Sequence, residues 1–210
     1  NGYDVGGKDW YYAQNPDLQL TTWGGASSDN SPHYGQSFLF LTYYLDRYGE
    51  EATKALTNNP ENSISSVDHT LEQLGITDPL TGQIVTADDV FMDWAAALFL
   101  KDKSVGDGRY TYNNYPDAPQ TEVTESITTC PQAASGHSVS QYGIDYIQIE
   151  CAGDFTLHFS GSTAIGLLPT TVNSGEYAFW SNKGDESDMT LTREFDLTSV
   201  RGPVEMSYST

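Results

Sequence analysis

At 210 residues, 38% hydrophobic and 12% aromatic, the chain can bury a sizeable core as one large domain or two small ones. Its 29 acidic and 9 basic residues give a formal net charge of −20, which argues against nucleic acid and anionic membrane as partners, since both need Lys/Arg patches. No run of 18 apolar residues occurs, so neither a transmembrane helix nor membrane insertion is expected.

The chain opens on Asn-Gly-Tyr, with no initiator Met and no signal peptide, as a processed or excised piece would. A glycine-rich loop over Gly2–Gly7 leads into a short helical patch around Lys8–Gln14 and a turn at Asn15-Pro16-Asp17. Leu18, Leu20 and Trp23 offer apolar anchors before a small polar loop over residues 24–30. The stretch Ser31–Gly49 then organises the rest. Ser31 is placed as N-cap and Pro32 at the first helical position, where no amide donor is needed. Tyr34, Phe38, Leu41, Leu45 and Tyr48 share one helical face, and Leu39, Phe40, Tyr43 and Tyr44 fill much of the rest. A helix this apolar on several sides belongs in a core. Gly49 is its stop, and Gly35 allows another element to approach closely.

A second short helix is expected over Glu50–Asn58, broken by Asn59-Pro60. A third is capped by Ser65 or Ser66 and stopped by Gly75, with Val67, Leu71 and Leu74 on one face. Thr86 caps a fourth, with Asp88 and Asp89 in the first turn and Lys101 and Lys103 near its end. Residues 104–120 are rich in Gly, Asp, Asn, Pro and Tyr and read as a linker or extended crossing segment. From Thr121 the pattern alternates: Tyr142, Ile144, Tyr146, Ile147 and Ile149 suggest a strand with a buried face, and Phe155, Leu157 and Phe159 alternate most cleanly. Further short runs, through Tyr177–Trp180, Leu191–Leu197 and Val204–Tyr208, predict an antiparallel, jelly-roll-like β-sandwich. Its last strand reaches the chain end, which would leave the sandwich incomplete. The expected fold class is therefore α+β, with a helical subdomain over residues 1–104 and a β-sandwich over 105–210. Cys130 and Cys151 are expected to form one disulfide in a secreted or cell-surface protein; two free thiols in a cytosolic one are the alternative.

The words HYGQSFLFLTYYLDRYGEEATKAL and VFMDWAAALFL resemble the helical part of secreted zinc metallopeptidases of the immune inhibitor A (M6) type. The opening NGYDVGGKDWYYAQNPDLQLTTW looks like the stretch after that family's downstream glutamate ligand, and SGEYAFWSNKGDESDMTLTREFDLTSVRGP looks like the sandwich that follows the peptidase domain. The resemblance covers about residues 2–49, 86–102 and 142–203. It implies a parent endopeptidase that hydrolyses protein or peptide substrates with a zinc-bound water. The departure is as informative. None of the four histidines, His33, His69, His137 and His158, begins an HExxH, and no pair has ligand spacing on one helix. The zinc ligands of the parent enzyme are absent here, so the chain alone is expected to be inactive and to associate with the missing N-terminal peptidase part.

Tyr34 and His33 are the catalytic candidates, as hydrogen-bond donors to a tetrahedral oxyanion; otherwise they are core and cap residues. Asn182, Asp185, Glu186 and Asp188 form a dense acidic run that a calcium ion would bridge, unless it is a solvated turn. Asp4 and Asp9, with Asp17, beside the glycine-rich loop are a weaker calcium set, since their spacing is not that of an EF-hand. Trp10, Tyr11, Tyr12, Trp23, Trp94 and Trp180 would suit a sugar platform but more simply a core, and Tyr110, Tyr112 and Tyr115 an exposed linker or a packed crossing. Two other readings are carried: a calcium-stabilised β-sandwich that binds protein or carbohydrate on a helical spacer, and a component of an acidic surface layer.

Overall fold

A computed structural model of the chain describes residues 6–24, 28–132, 136–162, 172, 174–179 and 190–207. It divides into two compact units, Asn1–Phe155 and Thr156–Thr210. The first holds four helices, α1 (Lys8–Gln14), α2 (Ser31–Asn58), α3 (Ser65–Gln73) and α4 (Ala87–Leu100), and two short strands, β1 (Glu125–Ile127) and β2 (Ile147–Ile149).

Local signals explain most of the helix boundaries. α4 starts in a capping box: Thr86 Oγ1 accepts from the Asp89 amide at 3.2 Å, and the Asp89 carboxylate accepts from the Thr86 amide at 2.9 Å. α2 is broken at Gly49 (φ 82°, ψ 178°), a conformation open to a residue without a Cβ, and resumes to Asn58. Its N-cap is Asn30 rather than Ser31, because Ser31 is already helical.

The core is built on Trp94. Its ring stacks on Tyr12 (centroids 5.9 Å, planes 5° apart) and meets Phe40 edge-on at 5.3 Å. Its Nε1–H donates to the Tyr112 hydroxyl at 2.8 Å. Leu39, Tyr43, Tyr44, Leu71, Val90 and Leu98 close around it. The Tyr43 and Tyr44 hydroxyls are buried there without a protein partner.

The face of α2 that enters this core is the one through Leu39, Phe40, Tyr43 and Tyr44. Of the stripe expected on one face, Tyr34, Leu41 and Leu45 stand outward at 53%, 42% and 37% exposure, while Phe38 and Tyr48 at its margins pack against the core. Both faces are apolar, so periodicity alone does not say which one the neighbouring helices cover.

The expected antiparallel β-sandwich over residues 105–210 is not found among the described residues. In its place are two three-residue strands, paired in parallel with Glu125 opposite Ile147. Three physical reasons account for the difference. Tyr142 adopts a left-handed φ of 52° and Ile144 turns into the helical core, so the apolar run at 142–149 supplies a strand only at its end. The segment between Lys103 and Tyr146 lies on the helices: Tyr112, Ala118 and Ile144 belong to the same core, and Tyr146 Oη donates to the Ala95 carbonyl at 2.6 Å. Finally, Phe155, Leu157 and Phe159 do alternate, but they stand 55%, 66% and 90% exposed with no ladder; alternation becomes a sheet only where a second strand covers the same face. In the unit Thr156–Thr210, Asp196 accepts from the Thr198 amide at 3.0 Å and the Arg193 guanidinium lies 5.3 Å from the Phe195 ring centre.

The expected Cys130–Cys151 disulfide is present, with Cα atoms 5.9 Å apart, and closes the pair of strands just beyond their C-terminal ends. It spans a sequence separation of 21 residues. Replacing both cysteines by Ser is expected to cost about 3 kcal/mol in chemical denaturation, from chain entropy returned to the unfolded state; a change below about 1 kcal/mol would show that the loop is held by its other contacts.

Candidate functional site

Trp23, His33 and Tyr34 form an aromatic shelf where α1 crosses α2. The crossing depends on Gly35. It packs against the backbone of Lys8 and Asp9 so closely that a Cβ at residue 35 would overlap the Lys8 carbonyl. This is the close approach anticipated for Gly35, and it brings α1 beside the first turn of α2. The Lys8 ammonium then lies 5.2 Å over the Tyr34 ring. Trp23 arrives from the loop before α2. Asn30 holds that loop by accepting from the Gly24 amide at 3.1 Å and donating to the Gly24 carbonyl at 3.2 Å. The Trp23 ring stacks on His33 at 5.6 Å and meets Tyr34 edge-on at 4.5 Å.

The shelf separates the two catalytic candidates. His33 is 8% exposed, and burial lowers its pKa, opposed by a hydrogen bond to the Gln19 backbone. That bond leaves Nδ1 buried and unpartnered. A neutral imidazole whose proton is committed to a carbonyl has none to give an incoming oxyanion. Tyr34 is 53% exposed, with its ring fixed by Trp23 and Lys8, so it presents a donor to solvent from a defined position. Of the two, Tyr34 alone has the access that oxyanion chemistry requires.

The remaining candidates fall elsewhere. Asp9 is buried at 4% exposure and accepts from Tyr115 Oη at 2.8 Å, tying α1 to the crossing segment. Asp17 accepts from the Ser140 amide at 2.6 Å. Asp4, Asn182, Asp185, Glu186, Asp188 and Trp180 lie outside the described residues. Tyr12 and Trp94 are core, while Trp10 and Tyr11 on α1 are 54% and 56% exposed. Among the described residues, no group of three or more His, Cys, Asp or Glu side chains is placed to hold a metal ion.

One cluster had no counterpart in the sequence reading. Arg109, 7% exposed, donates to Asp78 at 2.6 Å, Asp93 at 2.9 Å and Asp107 at 2.8 Å, and Arg47 joins Asp107 at 2.5 Å. Asp78 comes from the turn after α3 and Asp93 from α4, and Asp107 also takes Arg47 of α2, so the cluster ties three parts of the fold together. The guanidinium holds the Asp78 carboxyl far below the usual carboxylate range and Asp107 down to about 2, whereas burial pushes Asp93 up against the pull of Arg109. A polar cavity of about 80 Å³ lies beside it, lined by Tyr43, Asp46, Asp107 and Asn113 among others. The available signal was scarcity: a basic residue at the edge of a Gly-Asp loop, in a chain with so few, has many carboxylates to choose from.

No family model, curated protein or solved structure matches the chain.

Proposed function

We propose that the chain is the portion of a secreted zinc endopeptidase of the immune inhibitor A type that lies downstream of its metal ligands, and that it contributes Tyr34 to the cleft. The observation that carries this reading is the exposed Tyr34 side chain, its ring held by Trp23 and Lys8, at the head of α2. The resemblance of residues 2–49 to the family supports it, as does the uncovered apolar stripe of Tyr34, Leu41 and Leu45 along the same helix. A stripe of this kind suits a surface that another part of the enzyme covers. In the completed enzyme the metal would polarise the scissile carbonyl, and Tyr34 would donate to the oxyanion as it forms. Calcium bound by the acidic run at residues 182–188 belongs to the same proposal, as a structural ion.

Two measurements test the reading. The chain dialysed against zinc and calcium should retain no stoichiometric zinc and should not hydrolyse casein; stoichiometric zinc with hydrolysis would sink it. In an active form that includes the HExxH portion, Tyr34→Phe should lower kcat about a hundredfold with little change in KM, the loss seen when one oxyanion donor is removed. An unchanged kcat would assign Tyr34 to packing.

A further inference from the structure

We propose that the outer edge of β2 is a docking site for an extended, basic segment of a partner protein, taken up as a third strand. This inference stands independently of the peptidase reading. The ladder fixes which backbone groups are free. Glu125 N–H donates to the Tyr146 carbonyl at 3.3 Å and Glu150 N–H donates to the Ile127 carbonyl at 2.8 Å. With Glu125 opposite Ile147 and Ile127 opposite Ile149, the residues of β2 that bond to β1 are the even-numbered ones. The N–H and C=O groups of Ile147 and Ile149 therefore face away from β1, and Ile147 is 43% exposed.

A groove of about 440 Å³ opens at the start of the ladder, lined by Phe99 of α4, Val123 just before β1, and Asp145, Tyr146, Ile147 and Gln148 leading into and along β2. That volume is within the range of side-chain and ligand pockets. The edge is short, three residues, which itself limits pairing; within it Ile147, Gln148 and Ile149 include no lysine or proline and keep an unbroken register. Main-chain bonds to an edge, with a pocket for alternate side chains, are what strand addition requires.

Charge selects the occupant. From Tyr110 to Asn182 the sequence contains no Lys or Arg. Asp145 lines the groove, and Glu122, Glu125 and Glu150 flank it in sequence or register; Glu125 pairs with His137 at 3.2 Å. Partial burial and the neighbouring Asp17 hold the Asp145 carboxyl above its usual range, against the pull of His137, so a cation laid beside it would be stabilising. An apolar groove with an acidic rim fits a strand alternating basic and aliphatic residues, and rejects an acidic one.

The test is fluorescence anisotropy of a fluorescein-labelled peptide alternating Lys and Val, titrated with the full chain. Saturable binding is expected, weakened about tenfold when alternate backbone amides of the peptide are methylated, as the loss of two main-chain bonds implies. Asp145→Asn should weaken it as well, and the peptide with Glu in place of Lys should not bind. Because the methylated peptide leaves the protein untouched, its result does not depend on any variant folding. The proposal is overturned by failure of the Lys-Val peptide to saturate, or by equal binding of the methylated peptide, which would mean charge attraction alone. It is equally overturned if the chain sediments as a dimer that Ile147→Pro abolishes, which would give the edge to a second copy.

Discussion

Arg109→Ala is expected to lower the stability of the unit Asn1–Phe155 by about 4 kcal/mol, the size of effect seen when one partner is removed from a buried ion cluster. The loss is not that of a surface salt bridge. Three carboxylates surround the guanidinium, each no more than one-fifth exposed, and Arg47 reaches only Asp107. Without Arg109, Asp78 loses its cation and Asp93 keeps only the more distant Arg47, while both stay partly buried. The sign of the pH dependence follows. In the wild type, Asp78 and Asp107 have folded pKa values below their unfolded ones, so their contribution is present above about pH 4. For Asp107 it is lost as the pH falls through about 2. In the variant Asp107 keeps Arg47, but the Asp78 and Asp93 carboxyls lose the Arg109 pull and shift upward, and protonation relieves them. The difference between the two proteins should therefore be largest near neutral pH and should shrink on acidification toward about pH 4. A difference that stays constant over that range would mean that Arg109 acts by packing. Arg109→Lys should recover less than half of the loss, because one ammonium cannot reproduce a planar fork directed at three carboxylates.

Gly35→Leu is expected to be about as damaging, at roughly 4 kcal/mol, because it expels a whole element rather than crowding one. The obstacle at residue 35 is the Lys8 backbone, which cannot rotate away as a side chain can. α1 must lift off, taking with it the fully buried Tyr12 and Ala13, the Tyr12–Trp94 stack and the Asp9–Tyr115 bond. The Lys8 ammonium also leaves the Tyr34 ring, so the shelf loses one of its supports. Denaturation would report the stability loss. A drop in the near-ultraviolet circular dichroism of Trp94 would distinguish lifting of α1 from a local adjustment. A fully retained signal would show that α1 can shift along α2 and still pack.

The contrast between these two positions shows what was legible in the residues. The importance of Gly35 could be read locally, because a glycine inside an otherwise bulky helix has few other uses. The Thr86 cap and the break at Gly49 were legible for the same reason: each is decided within one turn of chain. The Arg109 cluster could not be found that way, since Asp78, Asp93 and Arg47 lie far from Arg109 in sequence and meet only once the helices have packed. The β-sandwich failed on the same ground. Alternation at Phe155–Phe159 is a property of one segment, whereas a sheet is a property of two, and the partner and its register are not written in either. Tyr34 was correctly placed on the stripe with Leu41 and Leu45, but which of two apolar faces enters the core was settled by Trp94, a residue sixty positions away.

The buried tyrosines around Trp94 make the core visible to alkali. Tyr12, Tyr43 and Tyr112 have hydroxyls that burial pushes far above the usual phenol range, and Tyr44 and Tyr146 are pushed up to about 12. An unfolded chain ionises its phenols at about pH 10, so folding loses stability as the pH rises beyond that point while these side chains remain protonated. The chain should therefore open before these phenols can titrate. Tyrosinate absorbance from them would rise together with the loss of helical circular dichroism, as one cooperative event, and the protein would carry in its own core an optical indicator of its unfolding.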